Sequence, residues 1–375
     1  MIKSFSMYPH EINDEYIKKI DTTLELAYRY GFDEVFTSIH LPEYSLLQQL
    51  ECLDIIAARA EKYHFDITVD IGGHYIPEVL GNEKYLSMLK SADVDFIRLD
   101  YGFDKNQVGE LYKNINNRGF VVNASIYRKD EVSEVINDLK SLDEKLEIRA
   151  CHNFYVRNET GIDETTAIRQ DSYFKECDIP VCYCIPSYSN PRGPLFEGLC
   201  TLEKHRHKTI SEVLTDLIIN YDVQYVMMAD EWLSEDEFRE FEETYEELSR
   251  PLNDEEEIHV KLDETVSRQE KNIVLNKAHV FRYDSPYDFL RSQSSRQMAE
   301  LASVIRPGNT GKRVKGAITI DNERYRRYSG ELQVVMTETE SDDRVNVVGV
   351  VSNNRDLLKL RRFREGIRYR FIEDK

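Results

Sequence analysis

Eight times in about 250 residues, a short apolar run of strand-like character gives way to a longer amphipathic one. The strand-like runs fall at 3–9, 33–40, 66–72, 95–103, 120–127, 146–155, 179–186 and 223–230. Between them lie stretches such as YIKKIDTTLELAYRYG and SLLQQLECLDIIAARAEKY. There apolar residues recur at three and four positions, and glycine or a polar cluster marks the exit. Eight β-then-α units in this length match an α/β fold, the TIM (β/α)8 barrel. A doubly wound open sheet is the alternative, but it usually needs fewer units, and no GxGxxG follows the first strand.

A barrel of this kind places its chemistry at the carboxyl ends of its strands. Tyr8 ends the first strand, Asp70 the third, Asp100 the fourth and Asn123 the fifth. His152 and Asn153 end the sixth and Asp230 the eighth, with Tyr155 and Arg157 on the loop after the sixth. The long connection after the seventh strand, SYSNPRGPLFEGLCTLEKHRHKT, adds Glu197, Glu203, His205 and Arg206.

Two carboxylates facing each other across one mouth can divide general acid and base roles, as glycoside hydrolysis requires. Asp100, in IRLDYG, is the first choice for one role, and Asp70, Glu203 and Asp230 compete for the other. Each competitor also has a structural use: Asp70 capping a helix, Asp230 starting one, Glu203 pairing with Arg206 three residues on. His152 and Asn153 suit hydrogen bonds to sugar hydroxyls or an acetamide, and Tyr155 offers a stacking face. Arg157, His205 and Arg206 suit a phosphate.

Charge divides the chain. Residues 1–257 carry 52 acidic and 26 basic side chains, a net −26. Residues 258–375 carry 17 and 23, a net +6, with 16 of the bases arginine. The sign change implies two domains: a barrel over 1–250, a linker over 251–257 containing Pro251, and a small β-rich domain over 258–375. The acidic stretch before the linker reads as a solvated helix over 236–248.

The overall charge of −20 opposes general attraction to nucleic acid or anionic membrane. No run of eighteen apolar residues occurs, and the opening MIKSFSMYPHEIND lacks a basic region followed by a long apolar one, so a cytoplasmic protein is expected. The six cysteines, at 52, 151, 177, 182, 184 and 200, form no CxxC and read as buried free thiols rather than disulfides or zinc ligands. Neither HExxH nor a P-loop is present.

Several stretches together resemble a family, the bacterial 6-phospho-N-acetylmuramidases. They are SMYP, IRLDYGF at 97–103, NAS at 123–125, ACHNFYVR at 150–157, GPLFEGLCTLEKHR at 193–206, and IDNERYRRYSGE with NVVG near the end. HNFY joined to GPLFEGLCTLEKHR is the most specific part. Val156 stands where the family has proline, and Ala229 precedes Asp230 where the family has glycine.

The resemblance implies a TIM barrel followed by a cyclophilin-like β domain. It implies an enzyme that cleaves 6-phospho-N-acetylmuramic acid from N-acetylglucosamine in cytoplasmic cell-wall recycling, with no cofactor and no metal. Its partner is then a phosphorylated amino-sugar disaccharide, whose phosphate and lactyl carboxylate suit arginines such as Arg157, Arg206, Arg296 or Arg306. A homo-oligomer is left open. The rival readings are a divalent-metal sugar-phosphate isomerase or lyase and a non-catalytic phosphosugar-binding protein.

Overall fold

The computed structural model describes residues 1–100, 102–275, 277–300 and 304–374, with 298–300 as backbone. Tyr101, inside the fourth expected strand, lies outside the described residues. The chain divides into two compact units, Met1–Glu243 and Thr244–Lys375.

The first unit is a closed barrel of eight parallel strands. They are β1 (Ile2–Ser6), β2 (Glu34–Ser38), β3 (Asp66–Ile71), β4 (Phe96–Leu99), β5 (Gly119–Asn123), β6 (Glu147–Cys151), β7 (Val181–Ile185) and β8 (Tyr225–Met228). β1 pairs with β8 to close the ring. The strands are buried on both faces, which is why their sequences run nearly continuously apolar. The intervening helices start where side chains satisfy their first N–H groups: Asn13 accepts from Tyr16 N, and Ser45 with Gln48 forms a capping box.

The lumen is plugged toward the amino-terminal ends of the strands. Arg149 pairs with the fully buried Glu34 at 2.8 Å and lies 3.8 Å from the Phe96 ring, while the Tyr225 hydroxyl donates to Glu34 at 2.5 Å. Phe36, Val121, Cys151, Cys182 and Met227 pack into the same buried cluster as Phe96 and Tyr225. That leaves the carboxyl end as the open one. All six cysteines are free, and only Cys177 is exposed.

The second unit holds a curled, mixed seven-stranded sheet, a half-barrel. Its strands are β9 (Glu255–Leu262), β10 (His279–Val280), β11 (Phe289–Arg291), β12 (Ala317–Asp321), β13 (Leu332–Val335), β14 (Val345–Val351) and β15 (Arg368–Glu373), in the order β10-β15-β9-β14-β12-β13-β11. β9 begins inside the stretch read as a linker. One face, including Ile258, Val260, Ile318, Ile320, Leu332 and Val334, forms the core.

Asp321, at the end of β12, lies beside Glu331, just before β13, Asp321 N donating to Glu331 O at 3.0 Å. Glu331 is buried among Arg282, Arg291 and Arg296, the last at 3.6 Å. Arg306 is exposed, and its carbonyl accepts from Asn346 Nδ2 at 2.8 Å. No helix among the described residues is long and apolar enough to cross a membrane.

Candidate active site

Period-two alternation along β3, β4 and β5 turns Asp70, Arg98 and Asn123 toward the lumen, near its open end. Asp70 and Arg98 are direct neighbours across β3 and β4. Arg98, only 6% exposed, is the centre of the arrangement. Its Nη1 donates to Asp70 Oδ1 and to Asp100 Oδ1, both at 2.9 Å, and its Nη2 donates to Asn153 Oδ1 at 2.8 Å. Asn123 Nδ2 completes the network, donating to Asp100 Oδ1 and Asn153 Oδ1, both at 2.9 Å.

These groups border a cavity of about 250 Å3. Its polar wall is Asp70, Arg98, Asp100, Asn153 and His40, and Phe154 lies on the apolar side. The two carboxylates differ in setting, with side-chain exposures of 7% for Asp70 and 30% for Asp100. Burial pushes the Asp70 carboxyl up, against the attraction of Arg98 and of His40, whose Nε2 lies 3.6 Å away.

His152 lines the cavity but is fully engaged. Its Nδ1 is 3.1 Å from Ser125 Oγ and its Nε2 is 2.9 Å from Asp171 Oδ1, while Tyr183 donates to the other Asp171 oxygen at 2.8 Å. Ser125 Oγ in turn accepts from Asn153 N at 2.9 Å. The histidine therefore positions Asn153 and is not a free acid or base. Tyr8 is fully buried, its hydroxyl donating to Ala229 O at 3.0 Å and its ring edge-on to Phe36 and Phe154.

Glu203, Asp230, His205 and Arg206 are occupied elsewhere. Glu203 accepts from Arg206 and from the backbone N–H groups of Glu159 and Gly161, which hold its carboxyl down to about 2. Arg206 spends its remaining donors on the carbonyls of Tyr155, Arg157, Glu197 and Gly198. The pair ties together the loops after β6 and β7. His205 faces Asp216 at 2.7 Å.

Asp230, fully buried, accepts from Ser187 N at 2.7 Å, Leu199 N at 3.0 Å and Arg192 N at 2.7 Å. It anchors the β7 loop in three places. Tyr155 is half-buried, its backbone N donating to Cys200 O at 2.9 Å, and Arg157 is exposed. Glu197 accepts from Asn158 N.

Of the carboxylates proposed from sequence, the structure thus brings together Asp70 and Asp100. Sequence reasoning missed Arg98, His40, Ser125 and Arg192. Arg98 had a usable signal: in FIRLD it shares the inward face with Phe96 and Asp100. Among the described residues no three side chains of His, Cys, Asp or Glu are grouped to hold a metal ion.

Two family models match the chain: one described as 6-phospho-N-acetylmuramidase, N-terminal, over residues 4–243, and one as 6-phospho-N-acetylmuramidase, C-terminal, over residues 256–372. Among solved structures it is similar to an uncharacterized B. cereus protein, with 24% identity, 99% of each chain covered and a TM-score of 0.64. It is also similar to a conserved protein of unknown function from a locus in Enterococcus faecalis. That match has 27% identity, covers 100% of this chain and 97% of that one, and has a TM-score of 0.60. No curated protein matches the chain.

Proposed function

The chain belongs to the 6-phospho-N-acetylmuramidase family, and from that premise we propose that it hydrolyses the bond between 6-phospho-N-acetylmuramic acid and N-acetylglucosamine, in cytoplasmic recycling of cell-wall material. The observation that carries this reading is the pair Asp70 and Asp100, joined through Arg98 at the edge of one cavity. Their settings suit a division of labour. Asp70, whose carboxyl burial pushes up, is the proton donor, and the more exposed Asp100 is the nucleophile.

Because both oxygens lie 2.9 Å from one nitrogen, they are no more than about 6 Å apart, short of the roughly 6.5–9.5 Å that an inverting pair leaves for water. The spacing favours retention. Asp70 gives its proton to the leaving oxygen as the glycosidic C–O bond breaks and Asp100 bonds to the anomeric carbon. Water, giving a proton back to Asp70, then hydrolyses the glycosyl ester. Asn153, whose Oδ1 accepts from Arg98 and Asn123, keeps its amide N–H groups for the sugar.

The test is product release from the phosphorylated disaccharide, followed by mass spectrometry with and without chelator, together with the anomeric form of the first product by NMR. Turnover should survive chelation and fall by about 100-fold or more in Asp100→Asn and in Asp70→Asn. No turnover by a folded wild-type protein overturns the reading, and loss on chelation turns it toward a metal enzyme.

A further inference from the structure

Arg192 sits on the loop after β7 with most of its side chain covered and its Nη groups without a hydrogen bond among the described residues. Its side chain is 15% exposed. Its guanidinium stacks on the Tyr8 ring at 3.8 Å, and the nearest carboxylate is Glu231 Oε1, 3.5 Å from Nε. The other Glu231 oxygen is taken by His10 Nε2 at 2.8 Å. Among the described residues the guanidinium donates no hydrogen bond.

The other largely buried arginines of this unit behave differently. Arg98 serves two aspartates and an asparagine, Arg149 serves Glu34 and Glu147, and Arg206 serves Glu203 and four carbonyls. Arg192 has only the long contact of Nε to Glu231, so among the described residues its Nη1 and Nη2 groups keep their donors for an acceptor from outside.

Its location narrows the acceptor. Tyr8 carries Arg192 on its face, and on its edges Phe36 and Phe154, which line the cavity holding Asp70 and Asp100. Two rings, Tyr8 and then Phe36 or Phe154, thus separate Arg192 from the cavity that the carboxylate pair borders. Its backbone is fixed by the 2.7 Å bond to Asp230, so the cation is pre-placed. The surrounding sequence is acidic, net −26 over residues 1–257, and an anionic ligand entering that field needs a local cation with free donors.

We propose that Arg192 is the anion-binding residue of the barrel, receiving an oxyanion on the bound saccharide, either its phosphate ester or its carboxylate. This rests on the glycosidase reading for the saccharide, though not for the anion. A planar fork over a tyrosine face suits two oxygens of either group.

Arg192→Met keeps the apolar stem over Tyr8 and removes the charge; Arg192→Lys keeps the charge and removes the fork. Each is compared with wild type on four disaccharides: intact, without phosphate, without the lactyl carboxylate, and without both. On the intact disaccharide, kcat/KM should fall about 100-fold in the Met variant and less in the Lys variant. The loss should shrink to within about 3-fold on the analogue lacking the anion that Arg192 holds, which names the source. A loss of full size on the analogue lacking both anions overturns the proposal.

Should wild type cleave none of the four, the glycosidase reading fails, and inorganic phosphate alone then tests the anion site. It should raise the Tm of the wild-type chain and not that of Arg192→Met. Equal shifts in both overturn the assignment.

Discussion

Asp70 and Asp100 accept hydrogen bonds from one and the same atom, Arg98 Nη1, each at 2.9 Å. One cation therefore holds two acids near each other that would otherwise repel.

Removing that cation exposes the conflict. In Arg98→Met the buried Asp70 loses its counter-ion, and its carboxyl should rise further. We expect a loss of about 3–5 kcal/mol in unfolding free energy, read by urea denaturation, because a buried charge is left uncompensated. Activity should fall about 100-fold or more, with the alkaline limb of the pH profile, where Asp70 gives up its proton, displaced upward. A variant as stable and active as wild type would remove Arg98 from the centre of the site.

Asp230 is fully buried and holds three backbone N–H groups of the loop after β7. An amide in its place keeps one acceptor oxygen but turns an NH2 toward a backbone N–H. Asp230→Asn should cost about 1–3 kcal/mol and make the segment 187–199 a site of limited proteolysis. If stability falls but the segment stays protected, the carboxylate is not its anchor.

In the second unit, burial, with Glu331 and Asp342 nearby, pushes the Asp321 carboxyl up to about 7, against Arg291 and Arg313. The folded state thus holds this proton more tightly than the unfolded one. Its contribution to stability is fully present below the unfolded value of about 4 and is lost as pH rises through about 7. The unfolding midpoint of the second unit should decline across that window, and Asp321→Asn should flatten the decline. The same slope in the variant would assign the titration to another group.

The barrel was legible because its information is local: each strand and helix announces itself by periodicity within a few residues. The strand ends were less so. The sixth strand reads as running to 155 but stops at Cys151, because His152 and Asn153 engage Ser125 just past the neighbouring β5. The Glu203–Arg206 pair follows from a three-residue spacing, which is visible in sequence.

Asp230 looked catalytic because its partners are backbone N–H groups 31 to 43 residues away, and such groups leave no mark in a sequence. Arg98 was overlooked for the opposite reason. An arginine inside an apolar strand belongs to no motif, although the alternation had already put it on the same face as Asp100.

The threefold grip of Asp230 on residues 187, 192 and 199 has one more effect. It pins the roots of the loop and leaves the tip between them, where Leu195 and Phe196 are exposed, outside the clasp. Exchanges at the tip can therefore be made without touching the three bonds that hold the loop, so its outer residues are free to vary while its frame stays fixed.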